Sequence, residues 1–280
     1  MAILAGAANN KGHNLRNLTA NIEKLTDEIA SLGFIHVDFK LTAFNGGTVN
    51  SSYCLTSGVD KYFVKTFESD RVAMLDRVAL FNLQQQLAAL KLTPLPIYLG
   101  KLQNFQIDLW IDSPTLENST LSNLGKTNRL AEALAHIHSI QIQAPPLNLP
   151  DQWVHYEKLI GRAGIADCMR EEFSALWKKS CDSRRTLCHN DLAFNHLTVS
   201  DPVMIYDWEY CALSSPYFDI ASSIAINGLS KTDEASLYAA YALKTGQKLS
   251  DVVSEVLVMK PLVELTNKLW YTAASQHPHY

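Results

Sequence analysis

The sequence predicts an α+β fold in which a strand-rich region precedes a helix-rich one. Two observations carry that prediction. Five strand candidates, Val37 to Phe44, Cys54 to Ser57, Tyr62 to Phe67, Ile97 to Leu102 and Phe105 to Ile111, precede residue 114. Beyond it, most of the chain shows apolar residues at helical spacing. Strands grouped first and helices later argue for a small antiparallel sheet packed as one lobe and a larger helical lobe, with the boundary between residues 1–113 and 114–280. At 280 residues, 47% hydrophobic and 19% charged, the chain is long enough for two packed lobes or one large domain, and lacks the bias of a disordered or fibrous protein.

Composition narrows the partners. A formal net charge of −4 without a dense Lys/Arg run argues against nucleic acid, whose backbone demands a basic face. No apolar run approaches bilayer length, which argues against a membrane partner. A small molecule is the expected ligand. Five cysteines, with no C-x-x-C spacing and an odd count, read as free thiols in a reducing compartment. Met1 to Ala8 is apolar but short and lacks a basic start, so a cytoplasmic protein is expected; the oligomeric state is not legible.

Asn14 to Leu32, periodic in Leu and Ile, predicts a lead-in helix ending at Gly33. Between the first two strands lies Asn45-Gly46-Gly47-Thr48-Val49-Asn50-Ser51-Ser52-Tyr53. A glycine pair there lets backbone amides approach phosphate oxygens, although most such pairs are hairpin turns. Gly58-Val59-Asp60 is a turn. Lys65 lies within the apolar run Tyr62 to Phe67, where an ammonium is costly unless it meets an anion; the plainer alternative is an edge-strand lysine facing solvent.

Val72 to Leu90 predicts a helix stopped before Thr93-Pro94-Leu95-Pro96. Gln103-Asn104 joins the last two strands, which run into Trp110-Ile111-Asp112-Ser113-Pro114. In the second half, helices are predicted over Ser122 to Ile140, over Asp151 to Lys179 with a break at Gly161 to Gly164, and over Asp233 to Lys244 and Ser250 to Ser275. His136 and His138 sit two apart on the first of these and face different directions, so they do not form a chelating pair and read as structural.

The most informative stretch is Leu187 to Ile220. A polar loop, His189-Asn190-Asp191-Leu192, is followed sixteen residues past Asp191 by Asp207-Trp208-Glu209-Tyr210, which succeeds the strand-like run Pro202 to Tyr206. A loop Asp that accepts a hydroxyl proton and a second Asp after a hairpin make the usual site for a base and a magnesium nucleotide in phosphoryl transfer. Protein kinases carry H-R-D-x-x-x-x-N and D-F-G. Here Trp-Glu-Tyr replaces Phe-Gly, and the pattern more closely resembles the choline/ethanolamine kinase, thiamine kinase and aminoglycoside phosphotransferase superfamily, with H-x-D-L, then D-W-E, then Asp219-Ile220-Ala221. The segment Gly46 to Tyr53 followed by Lys65 is similar as well. The likeness spans roughly residues 37 to 275.

The resemblance implies a protein-kinase-like two-lobed fold with ATP between the lobes and Mg2+, or Mn2+, as cofactor. It implies that Asp191 takes the acceptor proton, that His189 shapes the catalytic loop and that Asp219 braces it. Asp207 would hold the metal. Gly46, Gly47, Asn50, Ser51 and Lys65 would face the phosphates, and Trp110 and Ile111 would take the adenine edge. In the family the helix after the lysine strand supplies a Glu to that lysine. No Glu occurs between Glu68 and Glu117, leaving Glu68, Asp70 or Asp76 as substitutes.

The metal-binding Asn of the family is also displaced. Without a gap, His196 occupies its position, and Asn195 precedes it. Oxygen-preferring magnesium favours Asn195, whereas the run Leu197-Thr198-Val199 favours the ungapped alignment with His196. Trp208, Glu209, Tyr210 and Trp270 offer aromatic faces and a carboxylate for a cationic acceptor, choline or thiamine in particular. Two other readings remain: an aminoglycoside phosphotransferase, and a nucleotide-binding pseudokinase.

Overall fold

Residues 22–44, 50–67, 70, 72–161 and 166–276 are described by the structure, a computed structural model. The predicted α+β character is observed. Strands β1 (Lys40–Phe44), β2 (Ser52–Ser57), β3 (Asp60–Thr66), β4 (Pro96–Leu99) and β5 (Phe105–Leu109) form one antiparallel sheet in the order β1-β2-β3-β5-β4. Alternation decides which face is buried. Tyr53 and Leu55 of β2 pair with Val64 and Tyr62 of β3, Ile107 pairs with Val64, and these side chains close over Leu25 and Ile29 of helix α1, described over residues 22–30. Glu28 fastens α1 to the sheet, its Oε1 accepting from the Tyr98 hydroxyl at 2.7 Å and from Lys101 N at 2.8 Å. Gly58, at φ +62°, closes the two-residue turn between β2 and β3, a conformation that glycine adopts without strain.

Several boundaries differ from the sequence reading. The first strand begins at Lys40 because Val37 sits in an exposed turn. The fourth ends at Leu99, where Gly100 and Gln103 turn the chain and leave Leu102 exposed. Helix α2 spans Arg77–Ala89 and starts five residues later than Val72, because the Asp76 side chain caps it by accepting from Ala79 N at 2.9 Å. Of the expected lead-in helix, residues 14–21 lie outside the described residues, and helix ends at residue 30.

The chain divides into two units. One holds the sheet and α1, from the start to Ala73 with Pro96–Trp110; the other holds Met74–Leu95 and Ile111–Gln276. Within the second are α2, α3 (Asn123–Ser139), α4 (Leu149–Ile160), α5 (Asp167–Ser183), α6 (Pro216–Ile226), α7 (Lys231–Thr245) and α8 (Leu249–Gln276). Helix α3 is capped by Ser122, which accepts from Gly125 N, and buries Leu130, Leu134, Ile137 and His138 on the face that packs against α7. Helix α8 packs along α4 and α6; Trp153 of α4 donates its indole N–H to Thr266 Oγ1 at 2.9 Å. A short antiparallel pair, β6 (Thr186–Cys188) with β7 (Ala212–Ser214), delivers the chain into the candidate site on one side and into α6 on the other. The expected strand over Pro202 to Tyr206 is reduced to a single bridge between Leu197 and Ile205. Among the described residues no helix is long and apolar enough to cross a membrane.

Candidate active site

Strand β6 ends at Cys188, and the chain turns at once into His189-Asn190-Asp191. The turn is held from α6. Asp219, in the first turn of that helix and fully buried, accepts from His189 N through Oδ2 and from Asn190 N through Oδ1, both at 2.8 Å. A buried carboxylate needs such donors to offset its lost hydration. His138 supplies a third, its Nε2 lying 3.1 Å from Asp219 Oδ2 while Nδ1 lies 2.8 Å from the Tyr241 hydroxyl.

Asn190 adopts φ +64°, a left-handed conformation that Asn tolerates better than most residues. Its amide donates to Tyr210 O at 2.8 Å, its Oδ1 accepts from Ser214 Oγ at 2.7 Å, and its carbonyl accepts from Ser222 Oγ at 2.9 Å. Asp191 follows, half-buried, at the point where the brace ends. Further along, Asn227 holds the loop, accepting from Phe194 N at 2.7 Å and donating to Leu192 O at 3.1 Å.

His189 is fully buried. Its Nε2 donates to Tyr206 O at 2.8 Å, its Nδ1 accepts from Asp191 N at 3.3 Å, and its ring lies 4.9 Å from that of Trp208. Burial, helped by neighbouring His196, pushes its pKa down to about 4, so the ring is neutral and can keep both bonds. Tyr206 N in turn donates to His196 O at 2.8 Å, coupling the Asp191 loop to the segment that carries Asp207.

Asp207 is also left-handed, at φ +62° and ψ 52°. Strain of this kind in a non-glycine residue is characteristic of functional turns. After it a single 3-10 turn covers Trp208–Tyr210. Trp208 is 1% exposed and donates its indole N–H to Ile205 O at 2.9 Å. It therefore offers no open face to an acceptor, contrary to the sequence reading, and serves as packing beneath His189. Glu209 is corrected in part: its carboxylate lies 3.4 Å from Arg77 of α2, with the two side chains 10% and 5% exposed. Tyr210 accepts from Trp270 Nε1 at 3.1 Å, and burial holds its hydroxyl well above its ordinary pKa.

The two candidate metal residues separate in space. His196 turns inward, donating from Nδ1 to Asp191 O at 2.9 Å with Nε2 3.5 Å from Asp207 Oδ2, whereas Asn195 is exposed. The donor set facing Asp207 thus contains nitrogen, which fits a divalent cation with tolerance for imidazole better than one restricted to oxygen.

In the first unit, Lys65 lies on β3, the middle strand of five, which removes the edge-strand alternative. It pairs with Ser52 and Gln106, at the end of the hairpin where Ser51 O accepts from Thr66 N at 2.9 Å and Thr66 Oγ1 at 3.1 Å. Asn50 and Ser51 therefore fall beside the lysine end of the sheet, and Trp110 follows the other end of β5. Ile111 belongs to the second unit. Gly46, Gly47 and Glu68 lie outside the described residues. Asp76 is spent as the cap of α2. Sequence reasoning missed Arg77, Asn190 and Ser222, and read His138 as structural without its contact to Asp219. Only Asn190, inside the quoted loop, carried a local signal.

An aspartate at the end of a braced loop, coupled through backbone to a second aspartate on a strained turn, is the arrangement of a phosphotransferase, set here in a protein-kinase-like, two-lobed α+β fold. Comparison with known proteins agrees: residues 40–252 match the model described as the phosphotransferase enzyme family (APH), and the chain belongs to that family. Protein LicA of Haemophilus influenzae is 23% identical over 215 residues, covering 72% of this chain; the chain spans 62% of that relative's length. Among solved structures, choline kinase LicA from Streptococcus pneumoniae has a TM-score of 0.72 at 20% identity, covering 93% of each chain. A LicA complex with AMP has a TM-score of 0.73 at 19% identity, covering 92% of this chain and 91% of that one.

Proposed function

We propose that this phosphotransferase moves the γ-phosphoryl group of ATP to the hydroxyl of a small cationic alcohol, choline or thiamine. The observation that carries the reading is the junction of two loops: Asp191 at the end of a turn fixed by Asp219, and Asp207 tied to it through Tyr206 and His196. Asp191 accepts the hydroxyl proton as the acceptor oxygen bonds to the γ-phosphorus; the bond to the bridging oxygen breaks and its electron pair leaves with ADP. His189, held neutral, and Asp219 keep Asp191 in place. Asp207 and His196 would hold the divalent ion, whose chemistry is to neutralise charge on the phosphates.

Lys65, Asn50 and Ser51 of the other unit, with Gly46 and Gly47, would meet the phosphates, and Trp110 with Ile111 would take the adenine edge. The AMP complex of a structural neighbour supports nucleotide use. For the acceptor, the hydrogen-bonded pair Tyr210–Trp270 supplies the aromatic surface suited to a quaternary or thiazolium cation. Glu209, already matched by Arg77, brings little free negative charge, which favours such a ligand over a polycationic antibiotic. Similarity to proteins named choline kinase supports choline in particular. The cytoplasm, where ATP is plentiful, is the compartment that fits this chemistry.

The test is ATP consumption by purified protein with choline, ethanolamine, thiamine and a set of aminoglycosides, with Asp191→Ala as control. Turnover on one cationic alcohol, reduced to background in the variant, is the expected result. Turnover confined to an aminoglycoside removes the choline and thiamine assignment, and nucleotide binding without turnover on any acceptor favours a pseudokinase.

A further inference from the structure

We propose that the cavity between α6, α7 and α8 is a second small-molecule site, built for a zwitterion whose anion and cation lie several bonds apart, and that its occupancy acts on the Asp191 loop through α6. Binding there is independent of the kinase reading, on which only the readout by turnover rests.

The cavity has a volume of about 380 Å3, within the roughly 300–1,000 Å3 of small-ligand pockets. Ala221, Ile224 and Ala225 of α6 with Val263 of α8 make an apolar wall. Charge gathers at one end of it. Glu234, buried in the first turn of α7, accepts from Lys260 Nζ at 2.7 Å through Oε2 and from Lys231 Nζ at 3.3 Å through both oxygens. Burial alone would raise its pKa, but the hydrogen bonds from Lys260 and Lys231 outweigh burial and lower it, so the group is a carboxylate. Two ammonium groups therefore share one carboxylate, and this end carries surplus positive charge. An ammonium has three donors, so each lysine keeps N–H groups for an anion. The Lys260 side chain is only 20% exposed, which limits the water that could satisfy them.

The opposite charge stands one helical turn away. Glu264 follows Lys260 by four residues on α8, lines the cavity and is exposed. Such a spacing usually gives an ion pair, but Lys260 turns to Glu234, and Glu264 has no hydrogen bond or ion pair among the described residues. Positions one turn apart are about 6 Å from each other. A ligand that joins the lysine end to Glu264 thus carries its anion and cation several bonds apart on a short apolar frame. Phosphorylated cationic alcohols and ω-amino acids have that chemistry, whereas α-amino acids, with adjacent charges, do not. The product of the proposed reaction is of the first kind. The described lining does not include Asp191, Asp207, Tyr210 or Trp270, which sets this cavity apart from the candidate active site. Its α6 wall is nevertheless tied to the Asp191 loop. Ser222, next to Ala221, donates to Asn190 O at 2.9 Å, and Asn227, which precedes Gly228 of the lining, holds Phe194 N and Leu192 O.

Isothermal titration calorimetry on the full chain with phosphocholine and with γ-aminobutyrate tests this, with choline and inorganic phosphate as single-charge controls. At least one zwitterion should bind wild type and Asp191→Ala alike. Its affinity should fall about tenfold or more in Glu264→Gln, which removes the free carboxylate, and in Ala225→Leu, which fills the cavity from an exposed helix position. Thermal unfolding of both variants should match wild type. Saturating zwitterion should change kcat severalfold in wild type and leave it unchanged in either variant. Binding of phosphocholine alone assigns the site to the reaction's product, and binding of γ-aminobutyrate alone assigns it to a free amino acid. Equal affinity in wild type and both variants overturns the site, as does no binding of either zwitterion or equally tight binding of choline or phosphate. Binding that leaves kcat unchanged overturns the link to the loop. Binding by a protein inactive on every acceptor removes the kinase reading and leaves the site standing.

Discussion

The Asp191 loop, 189–196, and the Asp207 turn, 207–210, are held by different physics. The loop hangs from one buried carboxylate, Asp219, that accepts from two consecutive backbone N–H groups about thirty residues upstream. The turn is held by a strained aspartate, a buried indole and an ion pair to Arg77, 132 residues before its partner Glu209. Backbone donors satisfy a carboxylate without bringing a second charge out of water. An ion pair must desolvate both ends, and that cost can consume the Coulombic gain. The loop is therefore the more firmly built of the two, while the turn is the place where a helix can influence Asp207.

The largest effect should follow from breaking the loop's anchor. Asp219→Ala leaves two buried backbone donors and His138 without their acceptor. We expect a loss of about 4–5 kcal/mol in denaturant unfolding and turnover near background. A well-folded, active variant would show that the loop holds its shape without α6. Next comes Arg77→Met, which takes the guanidinium away from the buried Glu209 carboxylate at about 3–4 kcal/mol. Adding Glu209→Leu should restore most of that stability, because the pair is held against its own desolvation. If the double variant remains as unstable as the single, the pair contributes net energy and the contrast with the loop disappears.

The same contrast explains what was legible in the sequence. The order of strands and helices, the two Asp-bearing segments and the place of Asp219 could be read because each depends on local pattern or on residues within one motif. Asp219 was assigned its bracing position by resemblance, and the structure supplies the hydrogen bonds through which it could act. Arg77 could not be found, because nothing around it in α2 signals a partner so remote in the chain. Trp208 was misread as an acceptor face: adjacency to Asp207 says which segment it is on but not which way the 3-10 turn points it. Between Asn195 and His196, ligand chemistry and alignment gave opposite answers, and only the turn's geometry separates them.

Acidity sharpens the comparison further, because the loop contains a buried neutral histidine. His189 has its pKa lowered to about 4 in the folded protein against 6.5 for the free side chain, so the unfolded chain binds a proton more readily between those values. Its contribution to stability is complete above pH 6.5 and is lost as pH falls from 6.5 towards 4, by about 3 kcal/mol at the limit. Unfolding free energies measured across that window for wild type and His189→Gln should show the variant with the flatter profile. Parallel profiles would mean that the wild-type dependence arises elsewhere.

The smallest effect belongs to the Tyr210 side of the turn. Trp270→Phe keeps an aromatic face but removes the 3.1 Å bond from Nε1 to the Tyr210 hydroxyl, whose pKa burial already raises. The loss of one such bond is worth about 1 kcal/mol. Tyr210 O also receives the Asn190 amide, so a shift of this tyrosine would be felt in both regions at once. If Trp270 only orients Tyr210 for the cation, KM for the acceptor should rise about fivefold with kcat nearly unchanged. A matching fall in kcat would instead mean that the disturbance had passed through Asn190 to Asp191, and that the loop is less insulated from the turn than its hydrogen bonds imply.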